Sequence, residues 1–116
     1  MHELGIAFQI VKEVDDIAEK NKVKSVKKVI LEIGEVSTIV PKYLYDVWVW
    51  ACKNNSKYLK NCELQIIELK AISYCENCKE LFPTVENGKT CPKCHKQDTY
   101  LVKGNETTIS KIEVEE

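Results

Sequence analysis

Hydrophobic side chains recur every three or four positions between residues 4 and 20, with charged and amide side chains between them. This spacing puts the apolar residues on one face, so it predicts an amphipathic helix over 4–20. The same period returns over 41–54, where Pro41 favours the first turn of a second helix. Tyr43 and Trp50 lie on the flank of that helix, and they indicate either a helix packed on two sides or an exposed docking edge.

Three other segments alternate apolar and polar residues with the period of a strand. They cover roughly 26–33, 62–73 and the residues that follow Gly104-Asn105, and a change of phase within 62–73 indicates a bulge or burial of both faces. The order along the chain is helix, strand, helix, strand, cysteine-rich insert and strand. We therefore predict an α+β fold, with a small three-stranded sheet covered by two helices and the insert before the last strand.

The insert contains two pairs of cysteines with two residues inside each pair: Cys75, Cys78, Cys91 and Cys94. Two such turns can point four thiolates at one ion, which matches the tetrahedral sulfur shell of a structural Zn²⁺. Two disulfides, four unrelated thiols and a thioredoxin-like redox pair are the alternatives, and the spacing favours them less. The prediction is a zinc-ribbon domain over 75–103, inserted into a domain formed by 1–74 and 104–116.

Within this insert, Phe82-Pro83 and Asn87-Gly88 are interpreted as the turns of a short hairpin between the two cysteine pairs. The other two cysteines of the chain, Cys52 and Cys62, have no partner motif, and we expect them to be half-buried free thiols.

The charge of the chain bears on the class of partner. All seventeen basic residues are lysine, and the net charge is −1, whereas proteins that read phosphate and guanine favour arginine and a basic surface. The alternative function, a zinc-ribbon adaptor that binds protein or nucleic acid, is therefore disfavoured. No segment approaches the length of a membrane span, and the first residues lack the basic region of an export signal, so we expect a cytoplasmic protein.

Catalysis is not expected either. A catalytic zinc keeps an open coordination position, and four cysteines leave none. The sequence shows no Ser/His/Asp set, no phosphate-binding loop and no carboxylate pair with a plausible base.

The first residues form a second candidate metal site. The Met1 amine, the His2 backbone nitrogen and His2 Nδ1 can close adjacent five- and six-membered chelate rings around one ion. The Glu3 backbone nitrogen can be a fourth donor, and the Glu3 carboxylate can stabilise the chelate or pass the ion on. Donors in one plane suit Ni(II) or Cu(II) better than tetrahedral zinc. A histidine at this position can equally be solvated and inert. The other histidine, His95, follows Cys94 directly and is interpreted as lying outside the zinc shell.

Four motifs occur in a fixed order along the chain: Met1-His2-Glu3-Leu4, then Ile33-Gly34-Glu35-Val36-Ser37 followed by Pro41, then the four cysteines, and last Gly104-Asn105-Glu106. Together they resemble the HypA/HybF family of hydrogenase-maturation nickel chaperones over essentially the whole chain. One departure is Lys42, which stands where an acidic residue is common in that family.

The resemblance implies Ni(II) held through His2 and neighbouring backbone nitrogens, and structural Zn(II) on the four cysteines. It implies delivery of nickel to the large subunit of a [NiFe]-hydrogenase in cooperation with a HypB-type GTPase. Some members of the family also serve urease maturation, which implies a urease accessory protein as a further partner. Neither a nucleic acid nor a membrane is an expected partner.

Overall fold

The computed structural model describes residues 2–116, and of His2 the backbone only. The elements follow one another in this order: α1 (His2–Lys20), β1 (Ser25–Gly34), α2 (Pro41–Asn55), β2 (Glu63–Leu69), β3 (Ile72–Cys75), β4 (Glu80–Pro83), α3 (Thr84–Asn87), β5 (Thr99–Lys103) and β6 (Thr107–Glu115). The predicted α+β class is confirmed. None of the described helices has the length and apolar character needed to cross a membrane.

Both long helices lie where the hydrophobic period placed them. The apolar face of α1 is buried and packs against α2. On α2, Leu44, Trp48 and Ala51 are buried, and the indole Nε1 of Trp48 donates a hydrogen bond of 3.1 Å to a backbone carbonyl. Tyr43 and Trp50 are about half exposed, at 51% and 53%, which favours an exposed edge over core aromatics for this flank.

The first sheet has the strand order β2-β1-β6. The central strand β1 buries alternate residues in its second half, as its period predicted, while both neighbours are edge strands. The N–H of Lys24 donates to the carbonyl of Glu115 and that of Gly34 to the carbonyl of Glu106, so β6 runs antiparallel to β1. On the opposite edge, the N–H of Ile66 in β2 donates to the hydroxyl of Tyr45 at 2.8 Å.

A second three-stranded sheet, with the order β4-β3-β5 and antiparallel pairs, surrounds the cysteine pairs. The prediction of one strand over 62–73 was wrong, because the chain leaves the first sheet after β2 and starts β3 after two intervening residues. Glu35 explains the break: its N–H donates to the carbonyl of Leu69 at 2.7 Å, and its carboxylate accepts the N–H of Ala71 at 2.9 Å. These bonds replace those that a continuing strand would have made.

The Cα positions group into two compact units. The first, called the helical unit below, comprises Met1–Glu32, Ile39–Ile67 and Thr108–Glu116; the second, the cysteine unit, comprises Ile33–Thr38 and Glu68–Thr107. Whether residues 75–103 form an independent domain stays a prediction.

Within the cysteine unit two glycines allow backbone segments to touch. A Cβ on Gly34 would overlap the carbonyl of Gly104, and a Cβ on Gly104 would overlap Ala71. Gly104 also has a φ of +122°, a conformation that other residues rarely adopt. These contacts hold Ala71 in place directly before β3, and β3 ends at the first cysteine of the cluster.

Candidate metal centre

The structure brings the four predicted cysteines together: their sulfur atoms all lie within 4.8 Å of one another. Cys75 ends β3 and Cys78 lies in the turn before β4, while Cys91 and Cys94 lie between α3 and β5. The Sγ atoms of Cys75 and Cys94 are 3.7 Å apart, and those of Cys78 and Cys91 are 3.8 Å apart. Four sulfurs at about 2.3 Å from a tetrahedral zinc ion lie about 3.8 Å from one another, so the spacing fits one such ion.

The same distances decide against the disulfide alternative. A disulfide bond is about 2.05 Å long, well short of either separation. All six cysteines lie in the described part of the chain and are free thiols.

Each cysteine pair is held by the same backbone turn. The N–H of Lys79 donates to the carbonyl of Cys75 at 2.7 Å, and the N–H of His95 donates to the carbonyl of Cys91 at 2.9 Å. Lys79 and His95 both have left-handed backbone conformations, with φ of 57° and 63°. The two residues therefore close equivalent turns, and His95, which is exposed and outside the four-sulfur cluster, acts there through its backbone.

The cluster rests on a small core in which Phe82 is buried against Cys75 and Cys91. Here the interpretation of Phe82-Pro83 as a turn was wrong, because Phe82 lies in β4 and pairs with Ser73 of β3. The predicted hairpin between the cysteine pairs is likewise replaced by β4 and the single-turn helix α3, which Gly88 ends with a φ of 60°. An aromatic residue four positions after Cys78, inside a short apolar run, was the signal that could have found this core.

Hydrogen bonds distribute charge unevenly over the thiols. The backbone N–H of Lys96 lowers the pKa of Cys94 to about 6, whereas the hydrogen bond that the Cys78 thiol donates to Cys94 raises the pKa of Cys78 to about 12. Cys94 is therefore ionised more readily at neutral pH than Cys78. A metal ligand must be a thiolate, so Cys94 is suited to make the first bond to an arriving ion.

The two remaining cysteines belong to the helical unit and have a different character. Cys52 and Cys62 are 1% and 7% exposed, so they are more buried than expected. Burial raises the pKa of each thiol to about 12. They are protonated core residues and not metal ligands.

At the predicted nickel site, Met1 and the side chain of His2 lie outside the described residues. Glu3 is described, and its side chain is buried at 6% exposure. Its carboxylate accepts the backbone N–H of Val40, the residue that precedes α2, at 3.0 Å. Glu3 therefore ties the first turn of α1 to the start of α2, a structural contribution that the sequence did not indicate.

Comparison with known proteins agrees with this arrangement. A family model described as "HypA: Hydrogenase/urease nickel incorporation, metallochaperone, hypA" matches residues 1–114. A "Hydrogenase maturation factor HypA" from Trichodesmium erythraeum is 34% identical over 119 residues, covering 100% of this chain and 97% of the relative. One from Chlorobium phaeobacteroides is 32% identical over 115 residues, covering 99% of this chain and all of the relative.

The fold is also that of a solved relative. The solution structure of the Ni metallochaperone HypA from Helicobacter pylori aligns with a TM-score of 0.72 at 23% identity, covering 97% of each chain. The match over nearly the whole length, together with the four-sulfur centre, shows that this chain belongs to the HypA family of hydrogenase/urease nickel-incorporation metallochaperones.

Proposed function

We propose that this protein binds Ni(II) at its amino-terminal end and delivers it to the large subunit of a [NiFe]-hydrogenase, while Zn(II) stays on the four cysteines as a structural ion. The family match over residues 1–114 carries this proposal. The receiving protein and the assignment of each metal to its site are the steps beyond the family itself.

The assignment of zinc to the cysteines follows from coordination chemistry. Four thiolates at tetrahedral spacing complete the shell of Zn²⁺, and the buried positions of Cys75 and Cys91 do not favour release. A transferred ion needs an accessible site with exchangeable donors, so the nickel site is expected elsewhere. A filled zinc shell also has no position for a substrate, which supports a chaperone without catalytic activity.

The start of α1 supplies what the nickel site needs. The first N–H groups of an α-helix have no partner within the helix, so a metal can replace the amide proton of His2 without breaking a helical hydrogen bond. Together with the Met1 amine and His2 Nδ1 this gives planar nitrogen donors that suit Ni(II). In this proposal Glu3 contributes its backbone nitrogen, while its carboxylate keeps the first turn in place against the start of α2.

The test is the variant His2→Ala, with His95→Gly as the matched control. We expect His2→Ala to lose nickel binding in calorimetry and to keep one zinc per chain by elemental analysis. His95→Gly should keep both metals, because glycine accepts the left-handed backbone at this position. Blocking the amino terminus by acetylation should act like His2→Ala. Unchanged nickel affinity in either the variant or the blocked protein would refute the proposed site.

The proposed partners are a HypB-type GTPase, which would act with this protein in delivery, the hydrogenase large subunit and a urease accessory protein. The family description names both hydrogenase and urease as destinations of the nickel. The reduced thiols suit a reducing compartment, which supports a cytoplasmic setting for the transfer. Nickel content of a purified apo large subunit, measured after incubation with the nickel-loaded chaperone, tests the delivery step.

A further inference from the structure

Glu80 places a carboxylate beside the four-sulfur cluster. It lies opposite Cys75 in the antiparallel pair of β3 and β4, and residues opposite each other in such a pair have their side chains on the same face of the sheet. The Glu80 side chain is therefore on the face of the cluster, two residues after Cys78. Four thiolates and one Zn²⁺ together are doubly negative, so the carboxylate adds negative charge next to a centre that is already anionic.

Lys93 brings a positive charge to the same place from the other cysteine pair. It lies between Cys91 and Cys94, and its ammonium is 2.9 Å from both carboxylate oxygens of Glu80. The pKa of Lys93 is raised, mainly by its hydrogen bond to Glu80 and the charge of that carboxylate, and in smaller part by the charges of Cys78 and Cys91. The ammonium therefore lies within electrostatic range of the thiolates. A lysine is charged at any pH at which thiolates hold zinc, so its charge is constant there.

We propose that Lys93 is the counter-ion of the zinc centre: its ammonium offsets the negative charge of the thiolates and of Glu80, and so slows the loss of the ion. The inference rests on the proposed assignment of Zn(II) to the four cysteines, and it names a residue outside the ligand set that retains the ion there. A protein that delivers one metal ion must keep the other, because the donors of a receiving protein compete for both. The ion pair between Lys93 and Glu80 carries the proposal, since it joins the two halves of the site.

A counter-ion differs from an ordinary salt bridge in what each partner does. The side chains of Lys93 and Glu80 are 67% and 54% exposed, and an exposed pair of this kind contributes little to stability by itself. If the pair only tied the two halves of the site together, removal of either partner would have the same effect on zinc. If Lys93 is a counter-ion, the two partners act in opposite directions. Loss of Lys93 leaves the carboxylate unopposed beside the thiolates, whereas loss of the Glu80 carboxylate removes a repulsive charge.

The experiment measures the transfer of zinc from the full-length, zinc-loaded protein to the chromogenic chelator pyridylazoresorcinol at neutral pH and low salt. We expect Lys93→Met to release zinc about fivefold faster than the original protein. Lys93→Arg keeps the charge and should release zinc at about the original rate. Glu80→Gln should release zinc no faster than the original protein. Added to Lys93→Met, the same Glu80→Gln exchange should slow the release again, because the unopposed carboxylate is gone.

The matched control is Lys89→Met, which should release zinc at the original rate. Lys89 is an exposed lysine two residues before Cys91, and it makes no ion pair with another described side chain. Salt gives a readout that a purely structural role would not move. At about 1 M salt the screening length falls to about 3 Å, so the rates of Lys93→Met and the original protein should converge. Circular dichroism checks the fold of each variant, and the charge-transfer absorption of the cobalt-substituted proteins checks that four thiolates still bind.

Two results would overturn the inference. One is equal zinc release from Lys93→Met and Lys89→Met, and the other is a Glu80→Gln variant that releases zinc as fast as Lys93→Met. Either result, obtained with one zinc per chain in the original protein, leaves the proposed function intact. A purified protein whose cysteines take up no zinc would instead refute the proposed structural role of the ion, together with the inference that rests on it.

Discussion

Asp15 provides the sharpest test of how the two long helices are held together. Its carboxylate on α1 accepts three hydrogen bonds from the loop that follows α2. One oxygen accepts the hydroxyl of Ser56 at 2.8 Å and the N–H of Tyr58 at 3.1 Å, and the other accepts the N–H of Lys57 at 3.0 Å. The hydroxyl of Ser56 accepts in turn the N–H of buried Leu59, so the network reaches the core.

The loss in free energy of unfolding depends on how many of these hydrogen bonds each substitution removes. A hydrogen bond to a charged group contributes about 1.5–3 kcal/mol, but the three bonds share one acceptor group and Lys57 is exposed, so they do not add fully. We expect Asp15→Ala to lower the free energy of unfolding by about 3 kcal/mol. Asp15→Asn can keep its oxygen toward Ser56 and Tyr58 and lose only the Lys57 bond, so its cost should be about 1–2 kcal/mol.

The assay is urea unfolding of the zinc-loaded protein followed by tryptophan fluorescence. Both tryptophans, Trp48 and Trp50, lie in α2, so the signal reports on the helical unit. Asp16→Ala is the matched control, because Asp16 is the exposed neighbour of Asp15 on the same helix. Substitutions of ordinary surface residues change the free energy of unfolding by no more than about 0.5 kcal/mol. If the free energies of unfolding of Asp15→Ala and Asp16→Ala differ by less than that, the reasoning is refuted.

Two further results are expected. Gly34→Ala should destabilise the protein by more than about 3 kcal/mol or prevent folding, because the new Cβ overlaps the Gly104 backbone. Gly5→Ala, at an open helical position, should instead stabilise the protein by about 0.5–1 kcal/mol. Thermal unfolding of the two variants and the original protein measures both effects. In the metal-free protein at pH 7, iodoacetamide should modify Cys94 before Cys78, because the pKa of Cys94 is lowered to about 6 and that of Cys78 is raised to about 12. The two cysteines outside the cluster should stay unmodified, because burial raises their pKa values to about 12. Mass spectrometry of peptides gives the order, and modification of Cys78 before Cys94 would contradict the prediction.

The local patterns of the sequence were sufficient for several elements. The helical period alone located α1 and α2 to within two residues, since the side chains that define a helical face are close along the chain. The spacing of the cysteines predicted the four-sulfur cluster for a similar reason: each pair is closed by a turn of five residues. Only the meeting of the two pairs depended on the rest of the fold.

Tertiary structure decided the features that join distant residues. The split of the predicted strand over 62–73 depends on Glu35, about thirty-five positions earlier, which takes the N–H of Ala71. The contacts of Glu3 with Val40 and of Asp15 with the loop after α2 span comparable separations. The sequence does not show which groups a carboxylate will bind. Its hydrogen bonds depend on the backbone N–H groups that the fold leaves unpaired near it. Periodicity and spacing therefore determined the two long helices and the four-cysteine cluster, and long-range pairing of polar groups decided how the strands are divided and connected.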